Sequence, residues 1–423
     1  TTESLNASKF AFNPTSTEVS IRNLGTNDTG ATLVATLKKL KPKAKKKVKN
    51  RVNSIIVSKS KNQKSGIGAT TANDGLDYGT GNYPYGTRVQ DETISLNTPD
   101  VINIHGIYES ADTSSPSAPQ VTLTSIISSS TTTTELIIGE LLIGQTSGAV
   151  AICAEKTNAT QIVYIAKNDY EFKEGETVEF QESGVKAIVS SLNTPSFEIG
   201  SNYKFNSGQK ESFYNYGTII RKSDSESPAK QLKIYFENGY YESTDDGDIT
   251  TVNSYNTYNY GTEIQSINGF SNSDIIDIRP RVSSYTVAED VRSPLEFLGR
   301  SFNGSGNSAA NILASNENII TDITYYQGRV DRIFLSKDGD FQVVYGVPSD
   351  NPEKPNPVDN AIELATITLP PYLYSPQQAA IKFMEYKRFR MVDIKNLENR
   401  IQNLEYYTAL SLLEVNTANM FVP

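Results

Sequence analysis

His105 is the only histidine of the chain and Cys153 its only cysteine, and that scarcity limits the chemistry on offer. A zinc site built from several His or Cys ligands cannot be assembled from one of each unless they sit together. A Ser-His-Asp triad would have to recruit His105, yet no G-x-S-x-G elbow surrounds any serine. A G-x-x-x-x-G-K-S/T phosphate loop is also missing. His105 lies in the strand-like run Val101 to Glu109 and reads as a packing or surface residue. Paired carboxylates are what composition leaves open: Asp and Glu total 48, and glycoside hydrolysis needs two of them in the right place. The sequence assigns no catalytic residue, and no cofactor is expected.

Three further clusters invite a binding role. Asp245, Asp246 and Asp248 around Gly247 resemble part of a calcium loop, but the twelfth place counted from Asp245 is Asn256 and not the Glu such a loop requires. No metal site is therefore assigned. Lys38 to Arg51, KKLKPKAKKKVKNR, holds nine basic residues and no acid. It lacks interleaved aromatics and sits in a chain of net charge −9, so a protein partner with a negative surface is favoured over nucleic acid. Lys43, Lys45, Lys46 and Lys47 are the candidate docking arm, and Pro42 breaks any continuous helix through it. Tyr214, Tyr216, Tyr235, Tyr240, Tyr241, Tyr255, Tyr258 and Tyr260 crowd a third stretch. They suit cross-strand packing with wet hydroxyls better than a sugar platform, although a host glycan stays a candidate ligand.

The elements that would position these groups are mostly strands. Tyr is abundant at 24, Trp is absent, and Ser, Thr, Asn and Gly fill the gaps between short alternating runs. Gly139 to Ala154, GELLIGQTSGAVAICA, recurs as Gly175 to Ser190, GETVEFQESGVKAIVS, at an offset of 36 with seven identities in sixteen positions. A duplicated hairpin building a small barrel or sandwich accounts for it. Arg329 to Ser336 and Asp340 to Val347 read as strands joined across Lys337-Asp338-Gly339, with Ala361 to Leu369 as a closing strand. Ser375-Pro376-Gln377-Gln378 has the form of a helix start. Whether Ile381 to Met391 continues that helix or forms a connector is left open. No apolar run approaches the roughly eighteen residues of a membrane span, and Thr1 to Lys9 does not read as a signal peptide. One cysteine allows no intrachain disulfide.

Asp393 to Glu414 is the one strongly helical stretch. Ile394, Leu397, Ile401 and Leu404 occupy a and d positions of a heptad, and polar residues fill the other faces. So narrow a stripe needs something to lie against, either its own chain or, the favoured reading, copies of itself. Arg400 at g and Glu405 at e are placed for an ion pair between chains. The frame weakens beyond, where Thr408, Ser411 and Val415 take the seam. The expected fold is mainly β, several small sandwich or barrel modules in a row followed by a C-terminal amphipathic coiled-coil helix. Expected units are an extended/β region with the basic arm (1–112), a β module with the duplicated hairpin (113–200), β-rich domains (201–370) and a helical segment (371–423).

YYQGRVDRIFLSKDGDFQVVYGVPS, then ELATITLPPY, then YKRFRMVDIKNLENRIQNLEYYTALSLLE, with SDIIDIRPRV before them, resemble in order a structural protein of contractile-tailed phages, common in phages of cyanobacteria. Relatives of that kind are baseplate wedge, tail-fibre-like or virion structural proteins. The resemblance covers about 274–420 and implies a non-enzymatic assembly role in a virion, assembled in the host cytoplasm. It also implies a trimer, other baseplate or tail proteins as partners, and a distal part beyond Pro423. A glycan-binding or glycan-degrading fibre protein is the alternative.

Overall fold

A computed structural model describes residues 9–14, 18–22, 43–61, 76, 83–126, 136–241, 247, 249–255, 263–272, 274–302, 318, 320, 325–373, 376–386 and 388–418. β1 (Phe10–Phe12) and β2 (Val19–Ile21) make a small antiparallel pair. β3 (Lys47–Val57), β4 (Thr93–Pro99) and β5 (Val101–Ser110) follow. Next come β6 (Gln120–Ile126), β7 (Leu141–Gly144), β8 (Val150–Lys156), β9 (Gln161–Ala166), β10 (Thr177–Phe180) and β11 (Lys186–Asn193). Then β12 (Ser196–Glu198), β13 (Tyr203–Asn206), β14 (Tyr216–Arg221) and β15 (Leu232–Tyr241) lead to a short pair, β16 (Ser266–Ile267) and β17 (Phe270–Ser271). β18 (Arg329–Ser336), β19 (Phe341–Val344), β20 (Ala361–Leu369) and β21 (Ala380–Phe383) precede α1 (Met391–Ala418), the only α-helix among the described residues. The fold is mainly β, in several small sheets and one barrel, and no described helix is long and apolar enough to cross a membrane.

Two sheets, β12-β5-β15-β3 and β13-β14-β4, share one apolar core that includes Ile94, Leu96, Ile107, Ile219, Ile234 and Phe236. Burying each such side chain contributes about 1.5–3 kcal/mol. Asp100, at φ +60°, is the one residue between β4 and β5, and it turns the chain from one sheet into the other. Because β15 lies between β3 and β5, residues of the expected 1–112 and 201–370 units share a sheet, which corrects that division. The division at 370 is crossed as well, since β21 pairs with β20.

The duplicated segment closes a six-stranded barrel in the order β10-β11-β6-β9-β8-β7. Its two copies adopt one register: Leu142 opposes Ala151 in the first hairpin and Val178 opposes Ala187 in the second. The residues that coincide in sequence are those the turns demand. Gly148 at φ +71° and Gly184 at φ +68° hold left-handed corners that other residues enter only with strain. Glu140 and Glu176 are buried, and each serves the opposite copy. Glu140 accepts from Ser183 N at 2.9 Å, Ser183 Oγ at 3.1 Å and Glu182 N at 3.2 Å. Glu176 accepts from Ser147 N at 2.9 Å, Ser147 Oγ at 3.0 Å and Thr146 N at 3.3 Å. Each also binds its own copy's backbone, through Ile137 N and Lys173 N, both at 2.6 Å. The barrel seats on the outer side of the main sheet through Ala154, Val163 and Ile165 against Tyr108 and Tyr235, with Lys233 paired to Glu155 at 2.7 Å.

Candidate functional site

α1 is built from a run of good helix formers that opens on Asp393, whose carboxylate accepts from Arg390 N at 3.0 Å and lies in the first turn where the helix dipole favours an anion. The expected start at Ser375 is corrected. Pro376–Gln378 makes a single 3-10 turn, the chain then enters β21, and α1 begins at Met391. Ser375 itself lies outside the described residues. Pairing of Ile381 with Ile367 and Phe383 with Ala365 competes with a second helical turn and wins, as tertiary contacts commonly override a local start signal.

No described residue of α1 is buried. The seam side chains stand open, Ile394 at 48%, Leu397 at 42%, Ile401 at 58% and Leu404 at 70% exposure, and Leu410, Leu412, Leu413 and Val415 are exposed with them. A helix of this length that buries nothing does not gain the packing that stabilises most helices in proteins. The own-chain reading of the seam therefore finds no support in its surroundings. Arg400, Asn403, Leu404, Tyr407, Thr408 and Ser411 line a shallow groove along one side of the helix. Arg400 and Glu405 form no ion pair within the chain among the described residues, which leaves their charges directed outward.

The basic segment behaves differently from the expectation. Lys43 and Lys46 are exposed, but Lys45 and Lys47 are buried, and this corrects the idea of an arm reaching to another protein through all four. The segment is stitched to the body by Lys45 N to Ile249 O at 2.7 Å and by the Ala44–Ile249 bridge. Lys45 Nζ sits 4.9 Å from the Tyr241 ring centre. Lys47 Nζ meets Asp100 Oδ2 at 2.8 Å and lies over the rings of Tyr214 and Tyr255 at 4.7 and 4.9 Å. Burial pulls the Lys47 ammonium below its ordinary range, against the attraction of Asp100.

Asp274 to Val282 supplies the other half of this buried polar centre. In sequence Asp274 to Val282 reads as a strand, but it joins no described sheet and is held through the isolated bridges Thr250–Asp277 and Tyr214–Arg281 and through its side chains. Asp277 receives a hydrogen bond from the Tyr214 hydroxyl and pairs with Arg279 at 2.7 Å. Burial works to raise the Asp277 carboxyl, but the Arg279 hydrogen bonds and charge outweigh it and hold it low. Arg281, fully buried, donates to Gly239 O at 2.5 Å and Pro99 O at 3.2 Å and faces Tyr241 at 5.0 Å. Burial pushes the Tyr214 and Tyr255 hydroxyls well above their ordinary range, so these rings are interior struts and their hydroxyls are not wet. Tyr258, Tyr260, Asp245, Asp246 and Asp248 lie outside the described residues.

His105 packs between strands, its Nε2 2.8 Å from Arg51 O, and burial lowers its pKa. Cys153 is buried in the barrel, where desolvation pushes the thiol up to about 12 and leaves it unreactive. Sequence reasoning missed the buried charge centre; its signal was the alternation Asp277, Arg279, Arg281. Among the described residues, α1 stands exposed along its length.

No curated protein matches the chain, and no solved structure does. Residues 283–420, which hold the C-terminal sheet and α1, match a family described as "Domain of unknown function (DUF4815)".

Proposed function

We propose that this chain is a non-enzymatic structural component of a contractile phage tail, at the baseplate wedge or the tail-fibre attachment, and that it acts by associating with copies of itself through α1. The observation that carries the reading is the exposure of Ile394, Leu397, Ile401 and Leu404 on a helix that buries nothing. Parallel copies would bury the seam and set Arg400 of one chain near Glu405 of the next. A trimer, neighbouring tail proteins as partners and a place in the virion follow from the sequence resemblance and are part of the proposal. The glycan-binding alternative loses its platform, because Tyr214, Tyr235, Tyr241 and Tyr255 are interior.

Ile401→Asp tests the reading. A carboxylate on the seam removes apolar burial of about 1.5–3 kcal/mol per contact, or roughly ten- to a hundredfold in association, and brings a charge that resists desolvation. Sedimentation velocity is expected to show a lower mass for the variant with an unchanged circular dichroism spectrum. An unchanged mass, or a wild type that is monomeric at tens of micromolar, would defeat the proposal.

A further inference from the structure

The C-terminal sheet, in the order β19-β18-β20-β21, has two unlike faces. Its registers place Val330, Arg332 and Phe334 on one face, and the chain covers that side itself. Ser349 bridges Gly328, Arg332 Nη1 donates to Pro355 O at 2.8 Å, and Phe334 is 1% exposed. Leu335, Phe341, Val343, Ile362, Ile381 and Phe383 share the other face across all four strands. There Phe341 is 74% exposed, Phe383 73% and Ile381 54%. Asp331 and Ala365 on this face are buried, and its open part runs from Phe341 and Val343 through Ile362 to Ile381 and Phe383; an exposed apolar patch of this kind marks an interaction surface.

We propose that this Phe341–Phe383 face is a second contact surface between copies of the chain, continuous with α1; it rests on the self-association proposed for that helix. The chemistry of the face selects the partner. Its only charged side chains, Arg329 and Asp331, pair with each other at 2.9 Å. An acidic protein, a nucleic acid or a sugar would find few free donors or acceptors there, whereas an apolar surface leaves none of its own polar groups unpaired. Reach then selects a copy of the same chain. Only residues 384–390 separate β21 from α1, a tether of at most about 25 Å. Helices that associate in parallel bring the sheets of neighbouring copies within that distance of one another, each offering the same apolar face.

Hydroxyl-radical footprinting of the intact wild type, at a concentration where it is assembled, tests the proposal, with exposed Tyr170 as internal reference. Phe341 and Phe383 are expected to label several-fold less than Tyr170 in the wild type, and to rise to its level in dissociated Ile401→Asp. Labelling of both at the Tyr170 level in the assembled wild type overturns the proposal. If Ile401→Asp keeps the wild-type mass, the reading of α1 fails, and Phe383→Asp then decides the sheet face alone. Phe383 is largely exposed, so this variant keeps its fold; a fall in its mass upholds the face as a contact, and an unchanged mass removes it. A wild type that is monomeric removes both readings.

Discussion

Asp100→Asn is expected to destabilise the sandwich by about 3–5 kcal/mol, the cost typical of stripping one partner from a buried ion pair. Asn tolerates the left-handed corner at φ +60°, so the backbone turn survives and the effect is electrostatic. What remains is Lys47 and Arg281 facing each other across a closed interior; the variant removes the carboxylate 2.8 Å from one and 4.0 Å from the other. Arg281 Nε and Nη1 find no acceptor among the described residues, so the arginine is already short of partners before the carboxylate is lost. Hydrogen exchange should accelerate along β3 and β15, which carry Lys47 and Gly239. Adding Lys47→Met to Asp100→Asn should recover part of the loss, because the pair contributes less by existing than it costs when halved. Equal or additive damage in the double variant would show that the charges are not coupled.

Glu140→Ala and Glu176→Ala should each cost about 3 kcal/mol or more, since each leaves several donors facing a missing carboxylate. Where the damage falls is the sharper result. Glu176→Ala should speed exchange at 145–148, in the first copy's turn, and Glu140→Ala at 181–184, in the second copy's. Damage confined to the mutated copy would contradict the crossed arrangement. Acid should act at the same place. Burial tends to raise the Glu176 carboxyl, but hydrogen bonds from Lys173, Ser147 and Thr146 outweigh it, so its folded value lies below the ordinary one. Its contribution is fully present above the ordinary carboxyl range and is lost as pH falls through the depressed value. Protection at 145–148 should therefore fall below about pH 4.

Much of the β architecture was legible because it is local. Arg329 to Ser336 and Ala361 to Leu369 form strands with the expected ends, and Gly339 at φ +92° supplies the turn between the first of them and β19. The repeat was legible for a related reason: five of its seven identities fall on corners and on the carboxylates that secure them. What could not be read were facts of long-range contact. Nine cations in fourteen residues suggest a solvated face, and nothing near Lys47 announces that Asp100, Tyr214 and Tyr255 will enclose it. In Asp274 to Val282 the usual pattern is inverted, with Asp277, Arg279 and Arg281 inside and Ile276 and Ile278 exposed at 37% and 40%. A binary reading sends those isoleucines to a core and returns a strand, whereas the interior they border is itself polar. The helix α1 was legible from its spacing, but the apolar face of the sheet before it needed the register of four strands.

The crossed carboxylates of the barrel make its two copies interdependent. A single copy of the repeat carries a glutamate whose turn lies in the other copy and a turn whose glutamate lies there too, so neither hairpin secures its own corner. The two copies are thereby tied to one another and share the glutamate, serine and glycine that make the tie, while β6 and β9, which close the barrel between them, lie outside the repeat.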